Sequence, residues 1–135
     1  MLVLLALLAG PCNAAQFPDL LREPAAMDGM RWMVRESRYG FSTEQAAFLV
    51  REPNGGLSLV RWPESGQHLD HAFWEGSFPT GTVAILHTHP TWQPQPSNTD
   101  RATSRTCGVP IYVLTATTIS RATCGASETV VRGQW

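Results

Sequence analysis

Apolar runs broken by Gly, Pro and charge divide the chain into predictable elements. Residues 24–38 place Ala26, Met27, Met30, Met33 and Val34 at helical spacing, with Arg31, Arg35, Glu36 and Arg38 elsewhere around the wheel. That periodicity predicts an amphipathic helix, with Pro24 in its first turn and Gly40 as its stop. The runs AAFLVRE and LSLVRW flank Pro53-Asn54-Gly55-Gly56 and predict a hairpin. Residues 63–81 hold Pro63, Gly66, Gly76, Pro79 and Gly81, and read as a connection with one helical turn. TVAILHTH is an apolar run bounded by Gly81 and Pro90, the pattern of a central strand. A Pro-rich loop follows, then SNTDRATSR as a helix, two strands within VPIYVLTATTIS, and a last strand in ETVVRG. A leading helix and strands interleaved with a later helix predict a mixed α/β class, one sheet covered by helices.

The first residues follow a different pattern. MLVLLALLAG is apolar and uncharged, Pro11, Cys12 and Asn13 break it, and Ala14-Ala15 offer the small residues a signal peptidase accepts. The expectation is a signal peptide over 1–15, a domain over 16–135, and export to the periplasm or beyond. No run reaches the length of a bilayer-spanning helix, so no stable membrane span is expected. If Cys12 leaves with the leader, Cys107 and Cys124 remain as an even pair, and a disulfide between them is expected. It would close a loop of about 17 residues, worth about 3 kcal/mol in the chain-entropy model. In a reducing compartment the same two residues would simply be small unpaired hydrophobes.

Composition narrows the class. At 135 residues and 43% hydrophobic, the chain suffices for one domain with a real core and not for two. Ten basic residues against 11 acidic ones give a net charge of −1, without the clustered positive excess of a nucleic-acid binder. Every basic residue is Arg, for which genomic base composition is the simplest account.

Chemistry concentrates in HTHPTWQPQPSNTD, residues 87–100. His87 and His89 lie two apart at a strand end, so their rings project from one face. Two imidazoles side by side can share a divalent cation, and Asp100, in the first turn of the helix starting near Ser97, is the nearest carboxylate. Two His and one carboxylate leave a fourth position for water, the mark of a catalytic zinc. Each piece has an ordinary explanation: His-x-His is often incidental, and Ser97-x-x-Asp100 matches a helix cap kept for stability alone. Their conjunction favours the site.

The pattern His-x-His-Pro, then Ser, then x-x-Asp resembles the JAMM motif of the JAB1/MPN/Mov34 metalloprotease family, compact bacterial members above all. The resemblance spans about residues 25–134 in element order as well as motif. It implies an MPN fold, a cytidine-deaminase-like layered α/β arrangement with a mixed sheet flanked by helices. It also implies one Zn²⁺ per chain on His87, His89 and Asp100, with water as the fourth ligand. Family members carry a Glu upstream on or before the strand after the first helix, and Glu44 lies in that place. Glu44 would then be the general base and Ser97 the hydrogen-bond donor to the oxyanion, in hydrolysis of a peptide or isopeptide bond by a zinc-activated water. Glu36, on the charged side of its helix, and Glu52, at the far end of its strand, compete less well for the base. His68 and His71 read as an exposed connection, and Trp92 as either a substrate lip or a loop anchor.

Little length remains for the insertions by which eukaryotic relatives grip ubiquitin. The expected substrate is therefore a peptide or protein met outside the cytoplasm, such as peptidoglycan peptides or an isopeptide-linked protein. The alternative is an inactive MPN-type binding or scaffold module. Such relatives usually lose a ligand, and this chain keeps every one.

Overall fold

The structure is a computed structural model and describes residues 12–40, 44–63 and 74–135. Two short 3₁₀ turns, Ala14–Gln16 and Leu20–Arg22, lead into helix α1, Pro24–Glu36. Pro24 occupies the first turn, where its missing N–H costs nothing, and Ala26, Met30, Met33 and Val34 form the buried stripe. The strands are β1 (Ala46–Arg51), β2 (Leu57–Arg61), β3 (Thr82–Thr88), β4 (Ile111–Leu114), β5 (Thr118–Thr123) and β6 (Ala126–Arg132). Helix α2, Asn98–Cys107, lies between β3 and β4.

One mixed sheet holds all six strands in the order β2-β1-β3-β4-β5-β6. Only β3 and β4 are parallel, as a crossover through α2 requires; every other neighbour pair is antiparallel. The chain is thus an α/β fold with a mixed sheet between flanking helices. Period-2 alternation sends successive residues to opposite faces. Ala47, Leu49, Ala84, Leu86, Tyr112 and Leu114 pack under α1, with Leu20, Met30 and Met33. Phe48, Val50, Ile85, Ile111 and Ala122 point the other way, beneath Trp62, Trp74 and Phe78. Phe48 meets Trp74 edge to face at 4.8 Å between ring centroids. A paired Arg51 guanidinium reaches the Glu23 carboxylate at 2.7 and 2.8 Å and ties the entry of α1 to the end of β1.

The disulfide differs from expectation. Cys12 is bonded to Cys124, and Cys107 is an exposed free thiol at the end of α2. The pairing follows from where the ends of the fold meet. Cys124 and Gly125 form the tight turn between β5 and β6, both at positive φ (54° and 86°), and the segment before α1 is drawn to that turn. Spacing along the sequence carried no sign of this approach. A cut after Ala14 or Ala15 before the bond forms would release Cys12 with the leader, whereas a later cut would leave that segment attached through Cys124. Residues 1–11, 41–43 and 64–73 lie outside the described residues, and with them the apolar leader, most of the connection after β2, His68 and His71.

Candidate metal centre

Three elements deliver side chains to one edge of the sheet. β3 runs toward that edge and β1 starts from it, with Ala46 opposite His87 in the antiparallel register. A two-way clasp holds the entry of β1. The Thr88 N–H donates to the Gln45 carbonyl at 2.9 Å, and the Gln45 N–H donates to Thr88 Oγ1 at 2.9 Å. Glu44, one residue earlier, is thereby buried against the end of β3 with only 7% exposure. His87 follows Ile85 by two residues and so shares its face of the sheet.

The third element is α2. Ser97 caps it: its Oγ accepts the Asp100 N–H at 3.1 Å, and the Asp100 carboxylate accepts the Ser97 N–H at 2.7 Å. This reciprocal capping box aims Asp100 back at the strand. Its Oδ1 lies 3.0 Å from His87 Nε2.

The two histidines are prepared differently. His89 ring Nδ1 lies 2.9 Å from the Gln93 carbonyl, which can only accept, so the proton sits on Nδ1 and Nε2 keeps its lone pair. Burial, helped by the neighbouring His87, pushes its pKa down, which favours the neutral imidazole a metal requires. The backbone N–H of His89 donates to the Leu114 carbonyl at 2.9 Å and anchors the residue beyond the strand end. Its ring stands nearly perpendicular to that of His87, with centroids 4.7 Å apart.

His87 is flanked by carboxylates on both ring nitrogens, with Nδ1 2.5 Å from Glu44 Oε1. Burial works to lower its pKa, but the adjoining carboxylates of Asp100 and Glu44 prevail and raise it to about 10. Burial likewise opposes ionisation of Asp100, and His87 and Ser97 outweigh it, holding the carboxyl below the usual carboxylate range. The site therefore concentrates positive charge at a buried ring, and without a metal a proton fills that role. Although Asp100 is close, His87 Nε2 lacks an aligned hydrogen bond among the described residues. An orphaned buried ring nitrogen beside two carboxylates and a second imidazole fits a divalent cation.

The tightest cluster is not the trio first expected. Glu44, His87 and His89 each offer a ligand atom within 4.8 Å of one another, and Asp100 joins them through its contact with His87. All four residues meet at one place, with Glu44 as near to the ligand set as Asp100. Ser97 is exposed at the rim, its hydroxyl hydrogen committed to no partner among the described residues. Glu36 is exposed on α1, and Glu52 is exposed near the β1–β2 turn, accepting a hydrogen bond from Ser58. Trp92 is 67% exposed in the loop between His89 and Asp100. A pocket of about 110 Å³ adjoins the cluster, with Trp62, Ile85, Ile111, Thr99 and Thr103 in its walls.

Sequence reasoning missed the supports. The Gln93 carbonyl leaves no trace in residue type. Gly40 reads as a helix stop, yet it also lies against the backbone of His89 and Pro90. A Cβ there would fall 2.7 Å from Pro90 Cα and 2.9 Å from the His89 carbonyl oxygen. A family model described as prokaryotic homologs of the JAB domain matches residues 28–127. No curated protein and no solved structure matches the chain.

Proposed function

Since the chain belongs to the family of prokaryotic JAB-domain homologs, we propose that it is an exported zinc metallopeptidase hydrolysing a peptide or isopeptide bond. The observation that carries this reading is the buried convergence of Glu44, His87 and His89, with Asp100 held against His87 by a capped helix. His87, His89 and a carboxylate would hold the ion. When bound, zinc supplies a Lewis acid and a water acidified toward a pKa of about 7. Glu44 accepts a proton from the attacking water and returns it to the leaving amine. Ser97, with its hydroxyl hydrogen uncommitted, donates to the oxyanion. The substrates we propose are peptidoglycan peptides or an isopeptide-linked protein.

The Cys12–Cys124 bond supports an oxidising compartment, and no helix among the described residues is long and apolar enough to cross a membrane. The second reading, a metal-free MPN-type binding module, draws on the His87 ring being satisfied electrostatically between two carboxylates.

Metal analysis of purified protein separates the two readings. One equivalent of zinc at neutral pH supports the enzyme, and its absence supports the module. Glu44→Gln then tests the division of labour. Retained zinc with hydrolysis reduced more than about 100-fold makes Glu44 the base. Loss of zinc makes it a ligand, and retained activity places the base elsewhere.

A further inference from the structure

The pocket beside the metal cluster has an apolar floor, made by Ile85 and Ile111, register partners on the parallel strands β3 and β4. Trp62, directly after β2, forms one side; its backbone N–H donates to the Ala46 carbonyl at 2.9 Å, and its ring packs on Phe48 at 5.4 Å between centroids. Thr99 and Thr103, one helical turn apart on α2, form the other side. Glu44, His87 and Asp100 close the remaining wall, whereas His89 takes no part in it. The space therefore runs away from His89, past the cluster and over the apolar face of the sheet. Thr99 is exposed, and with Thr103 it also borders a surface hollow along α2, so the pocket is reached from solvent.

Size and lining decide what it can hold. Its volume is about 110 Å³. An apolar cavity of about 150 Å³ accepts a benzene ring, so this one has room for about four carbons and not for an aromatic side chain. Among the described residues no basic side chain lines it, so an anionic group would find no partner there. A cationic group would lie on isoleucine, beside a cluster that itself gathers positive charge. Glycine would leave the floor uncovered. Ile85 and His87 are successive residues of one face, about 7 Å apart along β3. One substrate residue spans that interval, so a side chain next to a bond held at the cluster can reach the floor.

We propose that this pocket takes an aliphatic side chain of valine or leucine size, carried by a residue flanking the cleaved bond, and so sets substrate specificity. The assignment rests on the metallopeptidase reading and narrows it. Substrates with glycine or an aromatic residue at both flanking positions are poor ones.

Isoleucine methyl resonances test this directly, because the chain has three isoleucines, Ile85, Ile111 and Ile119. The first two floor the pocket, and Ile119 packs on the opposite face of the sheet as an internal reference. Titration of the metal-free full chain with N-acetyl-Ala-Leu-Ala-amide shifts the Ile85 and Ile111 methyl signals and leaves that of Ile119 in place. The Ala-Gly-Ala and Ala-Phe-Ala analogues bind at least about tenfold more weakly. Thr103→Leu, at a half-buried position of α2, fills the pocket and weakens the leucine peptide at least about tenfold, with an unmoved Ile119 signal reporting an intact fold. The zinc-loaded chain then cleaves a library varied at both flanking positions, at least about tenfold faster with valine or leucine than with glycine or phenylalanine at one of them. No shift of Ile85 and Ile111, equal binding of the three peptides, or cleavage indifferent to both positions overturns the proposal. Methyl shifts with no cleavage of any library member overturn the metallopeptidase reading instead, and leave the pocket as a binding site for an aliphatic side chain.

Discussion

His87 is the residue on which the centre turns. A histidine between two carboxylates would be ordinary at a surface; here the ring is 6% exposed, and its surroundings demand a cation. Ser97 has two separable roles. Ser97→Ala should cost about 1 kcal/mol through the lost cap, while Ser97→Asp keeps an N-cap acceptor but has no hydroxyl donor. Hydrolysis that falls in both variants, with denaturant stability falling only in Ser97→Ala, would separate the oxyanion role from the cap. Gly40 carries a different constraint, with φ at +88° and the His89–Pro90 backbone against it. Gly40→Ala should cost about 1–3 kcal/mol through strain at that φ, with the close approach adding to it, and should also weaken zinc binding by displacing His89. Thermal melts with and without zinc test this, and a smaller zinc-induced shift in the variant is the expected result.

Among the elements, the clasp between β1 and β3 decides where Glu44 stands. Thr88→Val keeps the shape of the side chain but removes the acceptor for the buried Gln45 N–H, which should cost about 1–3 kcal/mol. Hydrolysis should fall further than that stability loss implies, because Glu44 loses its register against His87. Equal activity at matched folded fraction would show that the clasp serves stability alone. The N-terminal segment is the other element with a clear consequence. Peptide mapping without reduction should recover Cys12 linked to Cys124 and Cys107 as the alkylated thiol. A mature N-terminus at residue 15 or 16 in secreted protein, cut before the bond forms, would instead leave Cys124 without that partner.

For the whole molecule, the disulfide joins positions 112 residues apart, so nearly the entire fold lies inside the loop. Cys12→Ser should lower stability by about 3–5 kcal/mol, and a reductant should reproduce the effect in the parent protein but not in the variant. Zinc should act through the same cooperative unit. At about 1,000 times its dissociation constant it adds about 4 kcal/mol, visible as a raised melting temperature that a chelator reverses.

The hydrophobic pattern alone determined α1, the hairpin β1–β2, the central strand β3 and the capped helix α2, because each has a local period or a local stop signal. The same held for the His87, His89, Ser97 and Asp100 grouping, whose members lie within fourteen consecutive residues and need only a strand end and a helix start to converge. Glu44 was reachable through family resemblance, yet its place beside His87, 43 residues further along the chain, rests on the register between β1 and β3. Tertiary structure alone decided that Glu44 enters the tight trio, that Gly40 and the Gln93 carbonyl hold His89, and that Cys12 rather than Cys107 meets Cys124. Such features arise from the approach of distant backbone segments, whose energy depends on packing in three dimensions and leaves no periodicity in the chain.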